Sequence, residues 1–311
     1  MRNFYVFCLC ILHLALFAQM QSDTSYTPYS TYKKDIKKYP FIKIATKPQS
    51  ALLENKKQLV YKTIGGRALH LDAFFNPKGK KLPAVILVHG GGWKSGNKEH
   101  MRLMAQQIAL KGYSCFCVEY RLSGEAQYPE GIFDIKEAIK YVKANAAKFN
   151  TDPKKVAILG CSSGGQMATL IGTTNNNVTF EGKSKIKQKA SVQAIIDMDG
   201  VLAFHHPESE ESGVAAQWLG GTYNETPEIW EQASALTHTD KNTPPILFIN
   251  SDKPRFHGGR DDMIKILDKF GIYHETKTID NSPHSFWFFE PWFDDIVDWS
   301  VQFLDKIFKQ N

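Results

Sequence analysis

The 311-residue sequence has little cysteine, and its early lysine-rich stretch, from Lys33 to Lys57, is typical of a solvated segment. Two of its five cysteines, Cys8 and Cys10, lie in an apolar segment near the N-terminus. The others, Cys115, Cys117 and Cys161, are an odd number, which excludes a complete disulfide framework and predicts buried free thiols. The net charge of +6 is modest, and no basic run is interleaved with aromatic residues. Nucleic acid is therefore not an expected partner.

Long apolar runs are also scarce. In MRNFYVFCLCILHLALFAQMQSD, one positive charge precedes an apolar stretch from Phe4 to Phe17, and the small residue Ala18 follows it. This layout is typical of a secretory signal peptide, and the stretch is too short for a comfortable membrane span. We therefore expect residues 1–18 to be removed and no integral membrane span to remain, although a retained anchor is the alternative. Export with few disulfides predicts a secreted or periplasmic bacterial protein.

Neither a metal-ligand cluster nor an internal repeat is evident. His205 and His206 are adjacent, and adjacent side chains project in different directions, so the pair does not predict a shared metal ion. We expect no metal and no cofactor.

The chain has instead a regular alternation of strand and helix patterns. Residues 19–57 are polar with little periodicity, and we interpret them as a loose leader. LVYKTIG and LHLDAFFNP read as antiparallel strands, and the short apolar runs PAVILVHG, KVAILG and PPILFIN then alternate with helical patterns. This rhythm predicts an α/β protein, with a mostly parallel central sheet, helices on both faces and one domain over residues 58–311. Residues 173–190 and 203–233 are polar and irregular, which predicts insertions or lids.

The stretch ILGCSSGGQMA is a glycine-rich turn between a strand and a helix. It contains a G-x-S-x-G pattern, in which a nucleophilic serine projects from a sharp turn. Ser162 has a glycine two positions before it and two after it, whereas Ser163 does not, so the spacing selects Ser162 as the nucleophile. Ser163 is expected to offer its backbone N–H to an oxyanion. The alternative is a glycine-rich turn without chemistry.

A second motif, HGGGW, follows the strand PAVILV. Glycines allow backbone N–H groups to approach the negative oxygen that develops during acyl transfer. We therefore predict Gly91 and Gly92 as oxyanion donors and Trp93, beside them, as a substrate contact.

Together, HGGGW, VEYRL and DIKEAIKYVKANAAKFNTDPKKVAILGCSSGG resemble α/β-hydrolases of the esterase/lipase branch. More closely, they are similar to bacterial feruloyl-esterase-like and acetyl-xylan-esterase-like carbohydrate esterases. The resemblance covers roughly residues 58 to 308, and it implies the α/β-hydrolase fold with a triad in the order Ser, acid, His.

The base and the acid of this triad should lie in the C-terminal part of the chain. His284 is the one histidine after the strand YHETKTI, and we expect it to take the proton of Ser162. The acid should follow PPILFIN, where Asp252 stands at the strand end. Asp261 falls in PRFHGGRDD, which resembles one carbohydrate-esterase subgroup. We favour Asp261 as the acid and keep Asp252 as the alternative.

Residues near the base and the acid point to the substrate. Trp287 belongs to an aromatic segment in which flat rings can stack on sugars, and the alternative is that these rings are core. Arg255, His257 and Arg260 are candidates for pairing with the carboxylates of uronic acids, and the alternative is that they order their own loop.

We therefore predict a secreted serine esterase. The resemblance to carbohydrate esterases, together with the aromatic content, implies that its substrates are acetyl, feruloyl or methyl esters on plant cell-wall polysaccharide such as pectin or xylan. A general carboxylesterase or lipase for small esters, a serine peptidase of the same fold and a carbohydrate-binding relic with a dead site are the alternatives.

Overall fold

A computed structural model describes residues 25–47, 50–210 and 213–309. The predicted signal peptide, residues 1–18, lies outside this part of the chain. Among the residues that are described, no helix combines the length and the apolar character needed to cross a bilayer.

The described residues form a long series of strands and helices in alternation. The strands are β1 (Lys43–Ile44), β2 (Glu54–Ile64), β3 (Arg67–Phe75), β4 (Leu82–Val88), β5 (Ser114–Val118), β6 (Thr151–Cys161), β7 (Ala194–Met198), β8 (Ile246–Ser251), β9 (His274–Ile279) and β10 (Phe289–Glu290). The helices are α1 (Pro28–Asp35), α2 (Arg102–Leu110), α3 (Glu130–Ala144), α4 (Ser163–Thr173), α5 (Gly213–Leu219), α6 (Pro227–Ala233), α7 (Arg260–Phe270) and α8 (Phe293–Phe308).

Eight of these strands form the central sheet, in the order β2-β3-β5-β4-β6-β7-β8-β9. Strand β3 pairs antiparallel with β2 and β5, and every later pair is parallel. Since the carboxyl ends of parallel strands meet at one edge, the loops after β4, β6, β7 and β8 converge there. The predicted mostly parallel α/β-hydrolase sheet is confirmed.

Two apolar clusters cover the sheet, one on each face. Along β4, Ile86 and Val88 face the cluster that holds α3, α4 and α7, whereas Val85 and Leu87 face the cluster that holds α2 and α8. Successive side chains of a strand point to opposite faces, so a strand covered on both sides is continuously apolar. This explains the uninterrupted PAVILV run. The three cysteines are buried free thiols, as expected.

The interpretation of residues 19–57 as a loose leader is wrong for the part that the structure describes. Thr27 and Ser30 form a capping box that begins α1. Tyr39 and Ile42 are buried in the α2/α8 cluster, and β1 pairs antiparallel with β10. A short capped helix and a few docked apolar residues leave little periodicity, so the pattern did not indicate them.

The two segments predicted as insertions differ from each other. Residues 173–190 have only a short 3-10 turn between the end of α4 and β7, and α3 lysines donate to backbone carbonyls of this region. Residues 203–233 were expected to be irregular, but they contain α5 and α6 and bury Trp218 and Trp230. Residues 203–233, the second insertion, thus form a packed wall beside the carboxyl ends of the parallel strands.

Candidate active site

Ser162 stands at the turn between β6 and α4. Its backbone angles are φ 54° and ψ −124°, a conformation that residues other than glycine rarely adopt. The flanking glycines make room for it. A Cβ on Gly160 would lie 2.0 Å from the Gly164 carbonyl oxygen, and one on Gly164 would lie 2.4 Å from the Val88 oxygen. The spacing of G-x-S-x-G therefore reflects steric contacts across the turn.

His284 joins the serine to a carboxylate. It lies in the loop after β9, and its Nε2 is 2.8 Å from the Ser162 Oγ. Its Nδ1 is 2.9 Å from Oδ2 of Asp199. Because an ionised carboxylate can only accept, Nδ1 carries the proton in this arrangement and Nε2 accepts from the serine hydroxyl. This is the tautomer that a general base for Ser162 requires.

Asp199 follows β7 directly and is buried, with φ 50°. Ser251, the last residue of β8, holds both of its oxygens: the Ser251 N–H donates to Oδ1 at 2.8 Å, and the Ser251 hydroxyl donates to Oδ2 at 2.6 Å. These donors fix the plane of the carboxylate, so Oδ2 faces the His284 ring.

The prediction that Asp261 or Asp252 serves His284 is wrong. Asp261 lies in the first turn of α7, with 62% of its side chain exposed, and it pairs with Arg260 at 2.7 Å. Asp252 is 44% exposed and pairs with Lys253 at 2.7 Å. The reason is strand order, because β7 lies directly beside β6 and its end brings Asp199 to the histidine. Sequence reasoning missed Asp199, the second aspartate in VQAIIDMDG, although its place directly after a strand could have indicated the acid.

The HGGG loop lies against Ser162. A Cβ on Gly90 would be 3.1 Å from the Ser162 Cβ, and one on Gly91 would be 2.1 Å from the Ser95 oxygen. Gly91 and Gly92 have φ values of 126° and 61°, which favour glycine. Within the described ranges, the amides of Gly91 and Gly92 donate to no other protein group. They are therefore available to an oxygen bound beside Ser162.

A pocket of about 270 Å³ opens in front of Ser162. Its walls are largely apolar, and several of them come from the second insertion. The apolar lining residues are Trp93, Val201, Phe204, Val214, Ala215, Trp230 and Phe256. Such a wall suits an acyl chain better than a charged group.

Two of the five predicted substrate contacts line this pocket, Trp93 and Arg255. The Arg255 guanidinium pairs with Glu210 across the mouth of the pocket, which neutralises it. Arg260 donates to the Asn250 side chain at 3.0 Å and pairs with Asp261. The expected cationic cluster for uronate carboxylates is thus not assembled here.

The other predicted contacts, His257 and Trp287, are buried and do not line the pocket. Burial, followed by the charge of Arg260, lowers the pKa of His257. Trp287 meets the His284 ring edge-on, with centroids 5.2 Å apart. Sequence reasoning missed Phe256, whose ring stacks on His284 at 3.5 Å and shields one face of the imidazole from water.

Buried titratable groups surround the site. Burial lowers the pKa of His89 to about 3, so its ring is neutral, with Nδ1–H donating to the Gly90 oxygen at 2.8 Å. Burial, and then the nearby Asp199, raises the pKa of Asp197 well above its ordinary value, which favours the neutral acid. In the described part of the chain, no group of three or more ligating side chains is placed to hold a metal ion.

The sheet topology and the serine, histidine and aspartate at its carboxyl edge define the chain as an α/β-hydrolase. The chain belongs to the BD-FAE family, whose model matches residues 71–266. The resemblance found in HGGGW and GCSSGG is thereby confirmed.

Curated relatives and solved structures agree with this assignment. Esterase LipC of Mycobacterium tuberculosis is 28% identical over 65% of this chain, and Esterase LipQ of the same organism is 27% identical over 61%. The matches cover 50% and 47% of those proteins, so the chain spans about half the length of these relatives.

Among solved structures, a truncated carbohydrate esterase from gut microbiota superposes with a TM-score of 0.71. It is 24% identical, and the match covers 83% of this chain and 99% of that one. An acetyl ester-xyloside bifunctional hydrolase from Caldicellulosiruptor lactoaceticus also gives 0.71, at 19% identity, over 83% of this chain and 98% of its own. At these identities the likeness shows a shared fold.

Proposed function

We propose that the protein is a serine ester hydrolase with Ser162, His284 and Asp199 as its triad. The observation that carries the proposal is the continuous chain of hydrogen bonds from the Ser162 Oγ through His284 to Asp199, at 2.8 and 2.9 Å. A hydroxyl is a weak nucleophile on its own, and this chain gives its proton an acceptor.

The reaction has two halves. Ser162 Oγ attacks the ester carbonyl carbon while its proton passes to His284 Nε2, and the amides of Gly91, Gly92 and Ser163 stabilise the oxyanion. Collapse of the tetrahedral intermediate breaks the ester C–O bond, and the leaving alcohol takes the proton from Nε2. A water molecule then attacks the acyl-enzyme with His284 as its base, which releases the carboxylic acid and restores the Ser162 hydroxyl.

The substrate proposal combines the pocket with the names of similar proteins. The apolar walls formed by Trp93, Phe204 and Trp230 favour a short or aromatic acyl group, such as acetyl or feruloyl, over a charged one. One protein of similar fold is named a carbohydrate esterase, which supports a sugar hydroxyl as the alcohol component of the ester. We therefore place the substrate among acyl esters of plant cell-wall polysaccharide such as xylan. The apolar segment Phe4–Phe17 supports secretion.

A general carboxylesterase for small esters is the second candidate. It is favoured by the burial of Phe286, Trp287 and Phe289, because these rings close to His284 are not exposed for stacking on a sugar.

The test compares substrates on the purified chain. We expect acetate release from acetylated xylan or ferulate release from feruloylated arabinoxylan, together with hydrolysis of p-nitrophenyl acetate. Ser162→Ala should reduce every rate to background. Reaction of p-nitrophenyl acetate alone would favour the small-ester candidate, whereas full activity of Ser162→Ala would overturn the serine mechanism. Methanol release from pectin would point to methyl esters instead.

A further inference from the structure

Trp93 occupies an unusual backbone conformation at a sensitive position. It follows the oxyanion glycine Gly92 directly and has a φ of 56°, in the left-handed region that a tryptophan rarely adopts. Its carbonyl accepts a hydrogen bond from the Ser123 N–H at 2.8 Å, and its ring stacks on Trp218 with centroids 4.9 Å apart. A conformation of this kind persists only where surrounding contacts hold it.

Gln166 contacts this ring through a hydrogen bond. The Trp93 indole Nε1–H donates to the Gln166 Oε1 at 3.0 Å, and both side chains are buried. Gln166 lies one helical turn after Ser162, and its backbone N–H donates to the Ser162 carbonyl at 3.0 Å. The oxyanion loop is therefore tied to the helix that carries the nucleophile.

The side-chain amide of Gln166 also contacts a third element. Gln166 Nε2 donates to the carbonyl of Ala233 at 2.8 Å, at the end of α6. Helix α6 carries Trp230, which forms part of the pocket wall. One fully buried amide thus satisfies partners on the oxyanion loop and on the pocket wall from a single position on α4.

We propose that Gln166 is a positioning residue for ester hydrolysis, which through its hydrogen bond to Trp93 sets the oxyanion amides of Gly91 and Gly92 relative to Ser162. This inference rests on the proposed function. Oxyanion donors act only when they meet the developing charge at hydrogen-bond distance, so a small shift of the loop lowers the rate of the chemical step. Substrate binding in the ground state depends far less on that distance.

The test uses two single variants and their combination. Trp93→Phe removes the indole N–H but retains a stacking ring, and Gln166→Met keeps the length of the side chain without its hydrogen bonds. With p-nitrophenyl acetate, each should lower kcat by about tenfold to a hundredfold. Gln166→Met, which leaves the Trp93 side of the pocket in place, should also keep KM within about twofold. Because both remove the same bond, the double variant should be no slower than Gln166→Met alone, within about twofold.

A transition-state analogue separates positioning from general damage. The inhibition constant of a trifluoromethyl ketone, which forms an oxyanion adduct with the serine, should rise by the same factor as kcat falls. Tyr61→Phe is the matched control, because it deletes another buried aromatic donor, to the Glu119 carbonyl, on the distant edge strand β2. It should lower the unfolding temperature and leave kcat and ketone inhibition unchanged.

The outcomes are distinguishable. Rates are normalised to the fraction of Ser162 that a fluorophosphonate labels, and absence of both labelling and ester hydrolysis in the wild type would defeat the proposed function itself. If the wild type is active but Trp93→Phe and Gln166→Met keep kcat and ketone affinity within twofold, the positioning role is wrong. A rise in the KM of Gln166→Met with unchanged ketone affinity would likewise overturn it. Should Trp93→Phe fail to fold, Gln166→Met and Gln166→Glu decide. Burial favours the neutral form of a glutamic acid at this position, which keeps an acceptor for the indole and a donor for the Ala233 carbonyl, so Gln166→Glu should retain the most activity.

Discussion

Replacing Asp199 by asparagine removes a charge with almost no change in volume. Oδ1 of Asp199 faces the fixed N–H of Ser251 at 2.8 Å, so the asparagine oxygen must take that place. The new NH2 group then occupies the position of Oδ2, which faces His284 Nδ1. Two donors cannot pair, so the ring shifts to the tautomer with its proton on Nε2, where it cannot accept from the Ser162 hydroxyl.

The expected loss follows from this tautomer. The same substitution in the triad of a serine protease lowers kcat by about 10⁴-fold, which corresponds to about 5 kcal/mol of transition-state stabilisation. We expect a similar fall for Asp199→Asn in p-nitrophenyl acetate hydrolysis, with KM changed by no more than a few-fold. Asp261→Asn and Asp252→Asn are the controls, because both carboxylates are exposed and paired with neighbouring cations, and each should stay within twofold of the wild type. Retention of more than a tenth of kcat by Asp199→Asn, or a large loss in Asp261→Asn, would show that Asp199 is not the carboxylate that serves His284.

Three further predictions concern stability and the pocket. Gly160→Ala places a Cβ 2.0 Å from the Gly164 oxygen and should destabilise the chain by about 3 kcal/mol or more in urea unfolding, whereas Gly213→Ala, with open space around it, should change little. Val214→Trp narrows the pocket beside Gly92 and should lower kcat/KM for p-nitrophenyl octanoate about tenfold more than for the acetate; equal losses would contradict the acyl-wall assignment. Burial lowers the pKa of His89 from 6.5 to about 3, so the unfolded chain takes up a proton that the folded chain does not. The contribution of neutral His89 to the free energy of unfolding is therefore complete above about pH 6.5. It declines as the pH falls toward 3, and about 2 kcal/mol of it is lost at pH 5. The loss between pH 7 and pH 5 should shrink in His89→Gln, and an unchanged loss would contradict the assignment.

The sheet and its helices were predictable because burial on two faces leaves a direct mark on the chain. A strand such as β4 is apolar at every position, and an amphipathic helix such as α3 repeats its apolar residues with the helical period. The segment 25–47 left no such mark. Its order depends on Tyr39 and Ile42 docking against distant residues of the α2/α8 cluster, and on β1 finding β10.

The predicted substrate contacts could also be inferred only in part from the sequence. Trp93 was predicted from its place beside the glycines, and it does line the pocket. Arg255 also lines the pocket, but its charge is taken by Glu210, a partner 45 positions away in the chain. No spacing rule links those two residues, so the sequence could not indicate that the arginine is already paired.

Local sequence patterns were enough to predict the proposed nucleophile and the proposed oxyanion loop. Ser162 and Gly91 occupy backbone conformations that demand particular neighbours within a few residues, and glycine is a visible signature of such demands. The acid was decided only by the tertiary structure. Asp199 and His284 are 85 positions apart, and several aspartates follow strands or open helices in this chain. Which carboxylate reaches the histidine depends on β7 lying between β6 and β8, and strand order is a property of the assembled sheet.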